Sequence, residues 1–247
     1  MGTEYYLWKK TNASKTVFKE LKEYNGEKEI TICCTQLSKT EFPKQSDRNR
    51  VLNEWIDFLQ NNPYAIEKID LRCRVNQKLF DAICCQKNLT ELLIKWGSYP
   101  SLDSIANLSE LKYLRLCGSA STKDLSPLAI LKKLEVLLLE NFGGTTDYSA
   151  IASLLNLKQL GLHSGMYTLI QLDNLEFLRE LKNLKNLHTT GFRLLNHDYS
   201  PVLDLRNLEF LSVNMPSYDY YKWNEILANQ FSDIKENRHL PYSISRE

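Results

Sequence analysis

One spacing constrains this chain more than any other feature: L-x-x-L-x-L recurs seven times. The copies are IEKIDL (Ile66–Leu71), LTELLI (Leu89–Ile94), LKYLRL (Leu111–Leu116), LEVLLL (Leu134–Leu139), LKQLGL (Leu157–Leu162), LKNLHT (Leu184–Thr189) and LEFLSV (Leu208–Val213). Their starts are 23, 22, 23, 23, 27 and 24 residues apart. A unit this short cannot bury its own apolar face. Stacked on its neighbours, it closes one continuous core, and the products of such periods are solenoids. Each copy reads as one strand, and identical strands stacked in sequence make a parallel sheet. The sixth copy ends in Thr189 where the others end in an aliphatic residue, so its register is the weakest.

The segments between the copies repeat as well. SLDSIANLSEL precedes the third, KDLSPLAILKKL the fourth and DYSPVLDLRNL the seventh. These resemble the L-S-P-L-x-x-L-x-x-L return of internalin-like leucine-rich repeats, over roughly Ile66 to Asn214. The resemblance implies an α/β leucine-rich-repeat solenoid: a curved parallel sheet with short helical or 3-10 returns, and a binding role for its concave face. It implies nothing about the partner, because one scaffold serves many. The sequence departs from the family in one respect. The Asn that ordinarily follows the repeat strand is replaced by Arg74, Gly97, Ser119, Phe142, Gly165, Phe192 and Pro216, so the outgoing turns need another support.

A solenoid must cover both exposed ends of its core. Residues 1–65 are expected to form the N-terminal cap, 66–215 the repeats, and 216–247 a C-terminal cap helix and tail. Within the first cap, Ser14–Tyr24 is predicted to be a helix capped by Ser14, with Val17, Phe18 and Leu21 inward. Glu29–Cys34 is predicted to be a strand and Asp47–Asn61 a helix stopped by Pro63. At the other end, Trp223–Asn237 is predicted to be an amphipathic helix using Ile226, Leu227, Phe231 and Ile234. The last ten residues are expected to be extended or poorly ordered.

Alternation along a strand sends the fourth and sixth residues of each copy inward, and the third, fifth and seventh to the concave face. Three rows follow. The third-position row is Lys68, Glu91, Tyr113, Val136, Gln159, Asn186 and Phe210. The fifth is Asp70, Leu93, Arg115, Leu138, Gly161, His188 and Ser212. The seventh is Arg72, Lys95, Cys117, Glu140, His163, Thr190 and Asn214. Leu93, Val136 and Leu138 are thereby expected on a wet face, around Tyr113 and Arg115 and rimmed by Lys95 and Glu140. That composition suits a protein-binding patch. The alternative is that apolar side chains on a curved sheet simply pack on one another. His163, His188 and Phe210 extend the surface. Aromatics also crowd the loops: Trp96, Tyr99, Phe142, Tyr148, Tyr167, Phe192, Tyr199, Tyr218, Tyr220 and Tyr221. Some belong to the core. The run Tyr218-Asp219-Tyr220-Tyr221 is either a second contact surface or the seam of the C-terminal cap.

Other chemistry has little footing. Cys117, Glu140 and His163 share a row, but a thiol and an imidazole two strands apart, about 10 Å, lie beyond the reach of a nucleophile–base pair. No metal set or cofactor is expected, and no phosphate-loop motif is present. The formal net charge is +1, and Asp70, Glu91 and Glu140 interleave with Arg72, Lys95 and Arg115, so nucleic acid is a minor alternative. No apolar run is long enough to span a membrane. The N-terminus shows no signal-peptide pattern, and the six cysteines form no regular framework. A reducing, cytoplasmic setting is expected. The expected function is a non-catalytic protein-binding module that acts by occlusion or scaffolding. One concrete form is a bacterial immunity-type protein that blocks a toxin; a surface or secreted adhesion repeat is a further alternative.

Overall fold

The structure is a computed structural model that describes residues 16–165 and 168–242. Its main sheet is formed in chain order by β1 (Val17–Phe18), β2 (Glu29–Ile32), β3 (Lys68–Asn76), β4 (Glu91–Ser98), β5 (Tyr113–Cys117), β6 (Val136–Glu140) and β7 (Gln159–His163). β9 (Asn186–Thr190), β11 (Phe210–Pro216) and β12 (Glu236–Tyr242) complete it. Every pairing is parallel. A second, two-stranded sheet pairs β8 (Ile170–Leu172) with β10 (Phe192–Leu194). Five 3-10 turns carry the chain back between repeat strands: Asp103–Asn107, Ser126–Ile130, Ser149–Ser153, Glu176–Glu180 and Ser200–Asp204. Among the described residues no helix is long and apolar enough to cross a membrane.

The inward register follows the spacing. Leu92, Leu114, Leu137, Leu160 and Leu187 align across five neighbouring strands, and all are buried. Ile105, Leu128, Ile151, Leu178 and Val202 close the core from the return side. In the sixth copy Thr189 also points inward, 3% exposed. Its hydroxyl has no hydrogen-bond partner among the described residues, which is the cost of a polar residue at an aliphatic position.

The outgoing turns are held without the expected Asn row. After β5, β6 and β9 the chain enters the left-handed region at Gly118 (φ 74°), Asn141 (φ 60°) and Gly191 (φ 61°). The Gly118 amide donates to the Glu140 carbonyl and the Asn141 amide to the His163 carbonyl, each at 2.8 Å. A residue in this conformation at the strand exit thus ties one turn to the next strand. An Asn row does exist, on the incoming side. Asn156, Asn183 and Asn207 donate from Nδ2 to the carbonyls of Lys132, Leu155 and Lys182 at 2.7, 2.9 and 2.7 Å. Before the third and fourth copies the equivalent places hold Glu110 and Lys133, which form an ion pair at 2.7 Å.

The ends differ in part from the sequence expectation. Instead of a helix over Ser14–Tyr24, the described part of that segment holds β1 and a 3-10 turn at Leu21–Glu23; Ser14 lies outside the described residues. Val17 and Phe18 pair with Thr31 and Ile32, so the free edge of β2 takes the backbone that a helix would have used internally. Phe18 then meets Tyr24 edge-on, and Tyr24 meets Trp55. The next helix, α1 (Gln45–Asn61), agrees with expectation to within two residues. Helix α2 (Gln77–Ile83), not anticipated, is capped by the Asn76 side chain, which accepts from the Leu79 amide. Buried Gln86 then links α1 to β3, accepting from the Ile66 amide at 3.0 Å and donating to the Leu59 and Asn62 carbonyls. At the other end α3 spans Ser217–Gln230, not Trp223–Asn237. Pro216 ends the strand at the helix threshold, where its fixed φ and missing amide suit a helix start. Arg238–Tyr242 are extended, as part of β12 against β11.

Candidate functional site

The concave rows stand as the spacing places them. Lys68, Glu91, Tyr113, Val136, Gln159, Asn186 and Phe210 align across seven strands, as do Asp70, Leu93, Arg115, Leu138, Gly161, His188 and Ser212. The third row holds in register for Cys117, Glu140, His163 and Thr190. At its start it breaks: β3 shifts against β4 between Leu71 and Arg74, so Arg72 and Lys95 are not opposite one another.

The exposure of the patch corrects the sequence reading. Leu138 is 2% exposed, Val136 5% and Tyr113 8%, and Leu93 is half-buried. Strands about 4.8 Å apart bring same-face neighbours into contact, and concave curvature tightens them. Leu138 also leans over its register neighbour. A Cβ on Gly161 would lie 2.9 Å from Leu138 Cδ1 and 3.3 Å from His163 Nε2, so glycine is what admits both side chains. The aliphatic part of the patch is therefore a second, small core on the concave side and is not wet.

What remains partly open is polar, apart from Leu93 and Phe210. Arg115 is half-buried; its Nε donates to Cys117 Sγ at 3.1 Å and its guanidinium lies 3.6 Å from the Glu140 carboxylate. Burial pushes the Cys117 thiol up to about 12, against the pull of Arg115. His188 Nδ1 and His163 Nε2 share a hydrogen bond of 2.7 Å, with the rings perpendicular. Burial, reinforced by the Arg115 charge, pushes His163 down to about 4, so it is neutral near pH 7 and one ring must donate to the other. Phe210 is half-buried beside Asn186. Lys95 is exposed and makes no ion pair among the described residues. Lys68 is paired with Glu29 and Glu91, and Arg72 with Asp70 at 3.1 Å. The cationic end of this face is thus largely neutralised from within, which removes most of the attraction to a polyanion.

Cys117 and His163 flank Glu140; Cys117 Sγ accepts from Arg115 Nε, and His163 shares its hydrogen bond with His188. Among the described residues no group of three His, Cys, Asp or Glu side chains could hold a metal ion. The loop aromatics divide. Tyr99, Phe142, Tyr148, Phe192 and Tyr199 are core, and the hydroxyls of Tyr99 and Tyr148 donate to the carbonyls of Cys117 and Phe142 at 3.2 Å. Tyr167 lies outside the described residues. Trp96, Tyr218 and Tyr221 are exposed, Tyr221 by 85%.

Sequence reasoning missed a second polar cluster, at the C-terminal end. Asp219 is buried, with Oδ1 3.0 Å from His197 Nδ1 and Oδ2 accepting from the Tyr199 hydroxyl at 3.4 Å. Trp223 Nε1 donates to the His197 carbonyl at 3.0 Å. His197 has φ 56°, and its ring meets Tyr218 edge-on. The cluster locks the start of α3 to the last return, so Tyr218 belongs partly to the cap seam. No periodicity signals a contact that depends on one buried carboxylate in a tyrosine-rich turn.

No family model and no curated protein matches this chain. Solved structures do. An internalin C2 of Listeria monocytogenes is 23% identical, with a TM-score of 0.51 over 75% of this chain and 74% of its own. A second internalin of that organism (17% identity, TM-score 0.49, 74% and 64% coverage) and a leucine-rich-repeat protein of Leptospira interrogans (16%, 0.46, 70% and 55%) are also similar. With the repeat register, the ten-stranded parallel sheet and the 3-10 returns, the likeness to internalin C2 establishes that this chain has the fold of a leucine-rich-repeat solenoid.

Proposed function

We propose that this chain is a protein-binding module that engages its partner on the concave sheet and does not catalyse a reaction. The observation that carries the reading is the surface itself: side chains held in register over seven strands, with Arg115, Glu140, Lys95, His188 and Phe210 at least partly open to solvent. Arg and aromatic side chains dominate interface energetics when a preformed, well-packed surround excludes water from them. Here Tyr113, Val136 and Leu138 form that surround instead of the contact. The action that fits a rigid curved surface is occlusion or scaffolding. A concrete form is an immunity-type protein that covers a bacterial toxin. A reducing cytoplasm suits the six free thiols, among them the unbridged vicinal pairs Cys33–Cys34 and Cys84–Cys85.

The test is affinity capture from the native cell, with the intact chain and a Lys95→Glu, Arg115→Glu double variant as baits. The variant should keep its circular dichroism and a melting temperature within a few degrees, because surface changes seldom exceed about 0.5 kcal/mol and the half-buried Arg115 adds modestly to that. It should lose the partner. A folded variant that captures the same partner at wild-type affinity places the contact elsewhere, with Tyr221 and the outer face of α3 the next surface to change.

A further inference from the structure

β4 breaks the inward–outward alternation at one place. Ile94 and Gly97 are buried, and the two residues between them, Lys95 and Trp96, are both exposed. Gly97 faces the core: a Cβ there would collide with the Val75 carbonyl and lie 2.6 Å from the ring of wholly buried Tyr99. The cause is the register shift against β3. Between the pairs Leu71–Ile94 and Arg74–Trp96, β3 spends two residues where β4 spends one. Irregularities of this kind re-aim side chains, and this one sets the indole beside Arg74, whose guanidinium carbon lies 5.7 Å from the ring centroid. The indole Nε1 donates to Gln36 Oε1 at 3.1 Å. On the β5 side, a Cβ on Gly118, itself at φ 74°, would lie 2.9 Å from Trp96 Cβ. Trp96 is thus held from three directions and is still 36% exposed. Around it stand cations without counter-charges. Arg74 and Lys95 are exposed, and neither makes an ion pair among the described residues. Elsewhere on this half of the sheet Lys68, Arg72 and Arg115 are each matched by a carboxylate.

We propose that Trp96, Arg74 and Lys95 form a hot spot at the strand-exit rim of β3 and β4, for a protein segment that presents carboxylates around an apolar side chain. The proposal rests on the reading of the concave sheet as a protein-binding surface, and Lys95 belongs to both. It extends the contact past the concave rows and fixes the chemistry of the partner. Trp and Arg are the side chains that most often dominate interface energetics. The exposed part of the indole offers a large contact area, and Gln36 and Arg74 already restrain its rotamer, so little ordering is left for the partner to bring about. The cation–π contact strengthens once a partner excludes water from it. Two unmatched cations favour an acidic segment and disfavour a basic one. A nucleic-acid strand fits less well. It calls for a track of cations and successive aromatic platforms, whereas here one exposed ring stands with two unmatched cations among the described residues of this rim.

The experiment pans a randomised dodecapeptide library, displayed on phage, against the full-length chain at low salt. The enriched peptides are then synthesised and their affinities measured. They should carry net negative charge and at least one large apolar or aromatic side chain. Trp96→Ala should weaken them about thirtyfold or more, as the loss of a hot spot does. Arg74→Glu with Lys95→Glu should weaken them about tenfold or more and reduce the salt dependence of what remains. Trp96→Phe keeps an aromatic platform and should bind within about fivefold of wild type, so a folding defect in the alanine variant cannot stand in for a lost contact. No enrichment over the bare support, enriched peptides that are neutral or basic, wild-type affinity in Trp96→Ala, or tighter binding of oligo-dT than of any peptide would each overturn the proposal. Arg115→Glu separates it from the concave reading. Peptides lost with Trp96→Ala but indifferent to Arg115→Glu leave the rim site standing alone, and the reverse pattern leaves only the concave one.

Discussion

At the residue scale, Leu137 measures what one inward position contributes. It is wholly buried and sits in register between Leu114 and Leu160. Neighbours in a stack cannot collapse far into a gap without breaking their own register. Leu137→Ala should therefore destabilise by about 2–5 kcal/mol in denaturant melts; a loss under about 0.5 kcal/mol would mean that the side chain is not in the core. His163 gives a pH-dependent counterpart. Its pKa is about 4 in the folded chain against an ordinary 6.5. Between those values the unfolded chain binds a proton that the folded chain refuses, so acid favours unfolding. The contribution of neutral His163 is complete above about pH 6.5 and is lost as pH falls toward 4. Replacing it with Gln should flatten the stability curve in that window relative to wild type, and an unchanged slope would show that the ring is well solvated. Alternation of side chains made the direction of both residues legible in the sequence. The burial of Leu138 and the partial burial of His163 on the outward face were not legible, because they depend on Gly161 next door and on curvature, neither of which a period encodes.

At the scale of elements, the repeats were legible and the joints were not. Copies of L-x-x-L-x-L placed β3 to β7, β9 and β11, since each carries its own apolar signature. The turns lack one. Their support is split between left-handed residues at strand exits and amide side chains at strand entries, and single residues of this kind look like ordinary loop composition. The amide row can be weighed directly. Asn183→Ala removes one exposed hydrogen bond to the Leu155 carbonyl and should cost about 0.5–1.5 kcal/mol. Native-state hydrogen exchange should show the loss concentrated in the two returns that the bond joins, while uniform weakening would assign Asn183 no local role. The end elements failed for a related reason. Val17 and Phe18 read equally well as one helix face or as two strand residues, and the open edge of β2 decided between them. Likewise α3 begins as soon as β11 ends, because Pro216 and buried Asp219 fix its start ahead of the apolar positions that suggested one.

At the scale of the whole molecule, chain order and spatial order coincide: β1 lies at one border of the main sheet and β12 at the other. Each repeat touches its sequence neighbours, so cohesion is a sum of nearest-neighbour terms. This arrangement has a mechanical consequence. Tension applied between the two ends acts across the strands, along the line of their hydrogen bonds. The bonds are then loaded a few at a time, like a zip, and not all together in shear. Stretched singly between handles at its ends, the molecule should yield at low force in a train of small steps, each releasing about one repeat's length of chain. One large rupture at high force would mean that the caps and the second sheet bind the stack into a single mechanical block.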